Sequence, residues 1–292
     1  MNILIAKQLV ILSVIQHFQY PHFVAINQGL SSLQGIIAVI ILITVFWTVN
    51  RKIGGRLLLL YFIAGMATWL LKDYIQLARP FMYDPALGLS QATGNSFPSG
   101  DACAATVVYG GLAAYFRNKF LYVAAVIIVS LVAYSRLALG VHYPTDVIGG
   151  IVLGILLLMI QFKVIEKKLP LININKVIYF PLVIIMPVLI STLFADITPI
   201  VAAGTFSGLS LMLGLIDKKI NDRLPVILNI VAVIFGIVVI YFIYRGLFSR
   251  NTVIVANKNT LGYFSSFMAG CWIGWYAYFI GKLARVSTFC HF

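Results

Sequence analysis

The chain has 292 residues, 61% of them hydrophobic and only 10% charged, with a formal net charge of +13. A soluble domain carries about 25% charged residues, so a chain this apolar, with a mean hydropathy of +1.00, cannot cover a water-facing surface and takes lipid as its solvent. The positive charge does not point to nucleic acid: Lys and Arg sit in short loops between apolar runs, where topology signals and contacts to anionic headgroups belong.

In chain order, the first 23 residues are apolar with polar interruptions at Lys7, Gln8, Gln16 and His17. They lack a basic leader and a small-residue cleavage site, so the expectation is an interfacial helix rather than a cleaved signal or a span. Nine apolar runs follow, near 31–50, 54–72, 101–116, 120–139, 145–163, 177–195, 199–216, 224–243 and 261–282. Each suits the roughly 20 residues a helix needs to cross the hydrocarbon. The runs are continuous, not the alternating ten-residue segments of a spanning barrel. The expected fold is all-α, a polytopic transmembrane helical bundle of about nine spans with an interfacial N-terminal helix.

The loops set an orientation. Arg51, Lys52 and Arg56, then Arg117 and Lys119, then Lys163, Lys167, Lys168 and Lys176, then Lys218, Lys219 and Arg223, then Lys282 and Arg285 all fall on one side if every run crosses. The positive-inside rule makes that side, and the C-terminus, cytoplasmic. The longest break, 163–176, separates an expected core at 1–163 from a four-span region at 177–292, with 164–176 as a cytoplasmic linker. Cys103 and Cys271 lie in apolar runs and Cys290 near the end. No spacing suggests a disulfide framework or zinc, so the cysteines read as small packing residues.

Three polar segments stand out against this background, because an ionisable residue at a membrane edge points to function. The first is Lys72-Asp73-Tyr74-Ile75-Gln76-Leu77-Ala78-Arg79-Pro80. Lys72 and Arg79 are two helical turns apart, so the expectation is a helix that carries both on one face and ends at Arg79, before Pro80. The second is Ser96-Phe97-Pro98-Ser99-Gly100-Asp101. Ser99 fits an N-cap, Gly100 allows close backbone approach, and free N–H groups at a helix start bind anions. The third is Ser135-Arg136-Leu137-Ala138-Leu139-Gly140-Val141-His142-Tyr143-Pro144-Thr145-Asp146. Pro144 fits the first position of a helix, which puts Asp146 in its first turn and within reach of a ring N–H of His142. That bond would leave the other ring nitrogen free to attack. All three segments emerge on the non-cytoplasmic side. Three cations, a helix start and a His–Asp pair are the groups that stabilise and accept a transferring phosphoryl group.

The order Lys-x6-Arg-Pro, Pro-Ser-Gly, Ser-Arg-x5-His-x3-Asp over residues 72–146 resembles the type 2 phosphatidic acid phosphatase family, related to vanadium haloperoxidases. The likeness extends over about residues 10–163 and is nearest to the undecaprenyl pyrophosphate phosphatases of that family. It implies phosphate binding by Lys72, Arg79, Ser99, Gly100 and Arg136, nucleophilic attack by His142, and orientation of His142 by Asp146. It also implies that no metal or other cofactor takes part, and that a lipid substrate is met at the outer face of a bacterial-type plasma membrane. Asp101 departs from the pattern, since the family has a histidine there as general acid. An Asp beside three cations should stay ionised and make a poor acid. Asp101 is therefore expected to be tolerable where the leaving group is a stable anion, as in a lipid pyrophosphate. His17 and His22 are weaker candidates for a substitute acid.

Two other readings stay open: a phosphotransferase that passes the phosphate from His142 to another lipid, and a catalytically impaired lipid-binding or transport protein. Residues 177–285 carry no comparable polar cluster. The small-residue pairs Gly150/Gly154, Gly204/Gly208 and Gly270/Gly274 suit close helix packing within the chain and are also compatible with a homodimer.

Overall fold

A computed structural model describes residues 3–18, 21–165, 197–215 and 266–276, together with 185, 234 and 263. All regular elements among the described residues are helical. Helix α1 (Ile3–Ile15) ends in a 3-10 turn (Gln16–Phe18), and α2 (Pro21–Ser31) leads to α3 (Ile36–Thr44), which a π turn (Val45–Val49) extends. Helix α4 covers Arg51–Ile75 and the short α5 covers Pro80–Tyr83. Helix α6 (Gly100–Ala105) runs through a π turn (Thr106–Gly110) into α7 (Gly111–Phe116). Then come α8 (Lys119–Ala138), α9 (Pro144–Ile160), α10 (Ile197–Leu215) and, at 266–276, α11.

Among the described residues four helical stretches are long and apolar enough to cross a membrane: His22–Val49, Arg51–Tyr83, Lys119–Ala138 and Pro144–Lys163. The first begins earlier than the run expected at 31–50, because apolar residues continue through α2. Helix α1 has 13 residues, about 20 Å at 1.5 Å per residue, too short for a hydrocarbon core of about 30 Å. Of the runs expected at 177–195 and 224–243, only residues 185 and 234 are described, and the rest lie outside the described residues. The run at 199–216 is represented by α10, and part of the run at 261–282 by α11.

The chain forms two compact units: residues 1–39 with 64–170, and residues 40–63 with 171–292. Helix α4 contributes its first half to one unit and its second half to the other. All three polar segments belong to the unit of 1–39 and 64–170.

In that unit α6, α8 and α9 pack around one another and α2 lies against α8. Glycines on α9 let α6 approach. A Cβ at Gly150 would collide with the carbonyl of Ser99, and one at Gly154 would stand 2.7 Å from Cβ of Thr106. The outer side of α8 exposes Phe120, Val126 and Ile127, a surface that would drive aggregation in water and is ordinary in lipid.

In the other unit the same device joins α10 to α11. A Cβ at Gly204 would stand 2.5 Å from the carbonyl of Tyr263, and Cβ atoms at Gly208 and Gly270 would collide with the carbonyls of Phe267 and Thr205. These small residues serve contacts inside the chain. Tyr263 Oη donates to Ser207 Oγ at 2.7 Å, and Trp47 Nε1 donates to the carbonyl of Ile273 at 2.9 Å.

Candidate active site

Helix α4 stops at Ile75, where Gln76 turns left-handed at φ 52°. This corrects the expectation that one helix carries Lys72 and Arg79 on a single face and ends at Arg79. Arg79 is extended (φ −74°, ψ 158°) and caps α5, with Pro80 at its first position. The proline restrains only the residue before it. The earlier stop goes with tertiary pairing, since the link runs beside the 93–96 loop and the carbonyl of Leu77 accepts from Ser96 N at 2.7 Å.

That loop holds both cations. Lys72 Nζ donates to the carbonyls of Asn95 (2.6 Å) and Ser96 (3.0 Å). Arg79 donates from Nη2 to Thr93 O (2.6 Å), from Nε to Gly94 O (2.9 Å) and from Nη1 to Val141 O (2.7 Å). Both side chains are buried, at 4% exposure each. Among the described residues neither forms an ion pair with a carboxylate. The carbonyls accept from both cations but bring no net negative charge into contact with them, an arrangement that gains when an anion arrives.

Ser99 caps α6 as expected, accepting from Ala102 N, and its own N–H donates to the carbonyl of Asp146 at 2.9 Å. Gly100 opens the helix, but a Cβ there would meet Thr68 Oγ1 only at an ordinary 3.5 Å. The close approaches are made instead by Gly150 and by Gly140, whose φ is +67° and whose Cβ would collide with the carbonyl of Leu87.

Arg136 closes α8, Gly140 turns the chain, and Pro144 opens α9 with Asp146 in its first turn. The carboxylate of Asp146 is fully buried. Its Oδ2 accepts from Ser96 Oγ (2.5 Å), from Tyr143 N (2.8 Å) and from the His142 ring at Nδ1 (3.3 Å). The other ring nitrogen, Nε2, lies 3.4 Å from Arg79 Nη1. A guanidinium only donates, so Nε2 faces it with a lone pair and Nδ1 carries the hydrogen. Burial pushes the His142 pKa down to about 4, against the bond from Asp146 and with help from the charges of Lys72 and Arg79. The ring is therefore neutral at pH 7.

Arg136 Nη1 donates to Asp101 Oδ2 at 2.6 Å, with side-chain exposures of 12% and 28%, so this pair is the more open part of the site. Arg136 Nη2 is buried without a hydrogen-bond partner. His17 and His22 are exposed.

The structure thus gathers the predicted residues. Ser96 bridges Lys72 to Asp146. Asp146 holds His142 and the Ser99 N–H. His142 meets Arg79, and the Asp101–Arg136 pair stands at the same helix start as Ser99 and Gly100. Sequence reasoning missed Ser96 as an anchor of Asp146, the carbonyls of Thr93, Gly94, Asn95 and Val141, and the need for glycine at 140. Ser96 could have been suspected from its place three residues before Ser99. The carbonyls carry no signal, because every residue has one.

The stretch that carries these residues is similar to known proteins. Residues 53–170 match the PAP2 superfamily. All eight predicted site residues fall inside the matched stretch. The chain is 34% identical over 123 residues to phosphatidylglycerophosphatase B of Bacillus subtilis, covering 39% of this chain and 59% of that one. It is 35% identical over 108 residues to an undecaprenyl-diphosphatase of Sulfolobus acidocaldarius, covering 36% and 52%. It thus spans little more than half the length of these curated relatives. The fold is similar to the crystal structure of a transmembrane PAP2-type phosphatidylglycerolphosphate phosphatase from Bacillus subtilis, with a TM-score of 0.50 and 28% identity over 57% of this chain and 89% of the other. The chain is a membrane protein, and over 57% of its length its fold is similar to that of a transmembrane PAP2-type phosphatase.

Proposed function

We propose that the chain is a lipid phosphate hydrolase with a preference for polyprenyl pyrophosphates such as undecaprenyl pyrophosphate. The observation that carries this reading is the His142 ring, held through Nδ1 by Asp146 with Nε2 turned toward buried Arg79.

The terminal phosphoryl group is bound by Lys72, Arg79, Arg136 and the N–H groups at the start of α6, with Ser99 and Gly100 shaping that cradle. Nε2 of His142 attacks phosphorus, and the N–P bond forms as the bond to the bridging oxygen breaks. The electron pair leaves with the lipid phosphate. Asp146 stabilises the positive charge that the ring gains. Water then attacks the phosphohistidine, releases inorganic phosphate and restores the ring. These steps need only this chain's residues and water.

The substrate preference is argued from Asp101. Its Oδ2 accepts from Arg136 Nη1 at 2.6 Å, so that oxygen is occupied as an acceptor and offers no proton to a leaving group. A phosphate leaves as a stable anion without protonation, whereas an alkoxide does not. The site is read as facing the extracytoplasmic side, because the loops at the opposite ends of the same helices carry Arg51, Lys52, Arg117, Lys119 and Lys163.

The deciding experiment is phosphate release from undecaprenyl pyrophosphate and from phosphatidic acid, by the parent protein and its His142→Ala variant. The expected result is faster release from the pyrophosphate and a loss of about 10³-fold or more in the variant. Faster release from the monoester refutes the preference. Undiminished release by the variant refutes the mechanism.

A further inference from the structure

Helix α1 lies outside the residues that match the PAP2 superfamily, yet one face of it is turned to the loop that bears His142. Gln8 and Leu12 on α1 and Gln16 in the 3-10 turn that follows it recur at i, i+4 and i+8, and are only 6%, 0% and 2% exposed. Ile3, Val10, Ile11 and Val14 are exposed. Gln8 Oε1 accepts from Thr145 N (3.1 Å) and Thr145 Oγ1 (2.9 Å), in the first turn of α9 and next to Asp146. Leu12 packs with Leu87 and Tyr143. Gln16 Nε2 donates to the carbonyls of Ala138 and Leu87, each at 2.9 Å. Ala138 is the last residue of α8.

The two glutamines therefore serve the two helix ends that flank the 139–143 loop. The last carbonyls of a helix and its first N–H groups have no partner within the helix. Gln16 supplies a donor to the end of α8, and Gln8 supplies an acceptor to the start of α9. The carbonyl of Leu87, which Gln16 also holds, is the atom that Gly140 packs against. Burial of Leu12 does little to select this arrangement, since lipid tails would receive it as readily as protein does. A carboxamide without partners in apolar surroundings is costly, so Gln8 and Gln16 determine where α1 docks.

We propose that α1 is a strap across the His142 loop and that Gln8 and Gln16 are positioning residues for His142. The inference rests on the reading of His142 as nucleophile. In-line attack tolerates little displacement, and a shift of about 1 Å in a reacting group costs about 10²-fold in rate. Both Lys72 bonds and two of the three Arg79 bonds go to the 93–96 loop, outside the strapped 139–143 loop, so phosphate binding should respond less than attack does.

The test uses the full-length protein in detergent with undecaprenyl pyrophosphate, comparing kcat and KM per mole of folded protein. Gln8→Leu and Gln16→Leu should lower kcat about 10- to 100-fold with KM changed by less than about twofold. Gln8→Glu keeps the acceptor and should stay near the parent, whereas Gln16→Glu loses the donor and should fall with the leucine variants. Parental kcat in both leucine variants, or a loss expressed in KM alone, overturns the proposal. If a leucine variant does not fold, the two glutamate variants decide, and equal kcat in them overturns it. His142→Ala separates the two claims. An inactive His142→Ala beside fully active glutamine variants sinks the strap alone, and an active His142→Ala sinks the nucleophile and the strap together.

Discussion

His142 combines two opposed influences. Burial and two nearby cations disfavour its charged form, while the Asp146 carboxylate favours it, and burial wins. The pKa falls from 6.5 to about 4, which sets a sign for the pH dependence. Between those values an unfolded chain binds a proton at this ring and the folded chain does not, so stability falls as the pH drops from about 6.5 toward 4. The acid limb of kcat/KM, which reports the free enzyme, should lie below 6.5, and a pH profile of phosphate release measures it. An acid limb at 6.5 or above would show a ring more exposed than the one described. Asp101 gives the second prediction at this scale. Asp101→His frees Arg136 from its carboxylate and supplies a group able to protonate an alkoxide. The ratio of kcat/KM for phosphatidic acid to that for undecaprenyl pyrophosphate should rise by about 10²-fold, the scale of general-acid catalysis. An unchanged ratio means that Asp101 does not set the preference.

Helix ends, more than helix faces, build the site. The C-terminal ends of α4 and α8 and the N-terminal starts of α6 and α9 meet at the same place, and each end is fastened to a neighbour. Ser99 N to Asp146 O joins α6 to α9, and Tyr143 N to Asp146 Oδ2 caps α9 on itself. The link between α8 and α9 depends on Gly140, because a left-handed backbone and contact with Leu87 coincide there. Gly140→Ala should cost about 1–3 kcal/mol from the combined backbone and packing penalties. It should lower the thermal midpoint in detergent and reduce kcat beyond the loss of folded protein. Gly100→Ala, with only an ordinary contact to Thr68, should cost less stability. Equal destabilisation in the two variants would contradict this account of the turn.

Across the whole molecule, charge and chain direction bear on which side the site faces. Helices α4, α8 and α9 and the α6–α7 helix each have one end at the site and the other at a loop with Lys or Arg. With the native cysteines replaced, Ala86→Cys near the site and Lys119→Cys at the start of α8 are both exposed positions. In intact cells an impermeant thiol reagent should label the first and spare the second, and the reverse pattern would invert the orientation.

Length, hydropathy and loop charge in the sequence were enough for a helical membrane protein. Residue spacing was enough for the local geometry around His142 and Ser99, because Ser99 before a helix, Pro144 at a helix start and a His four residues before an Asp are local features that survive into the fold. Local rules failed where a partner distant in sequence decides. The stop of α4 at Ile75, the carbonyl cage around Lys72 and Arg79, the pairing of Asp101 with Arg136 and the clasp of Gln8 and Gln16 all join segments far apart in the chain. Backbone carbonyls and buried carboxamides acquire a role only when folding removes water and leaves each polar group to find a partner among its new neighbours.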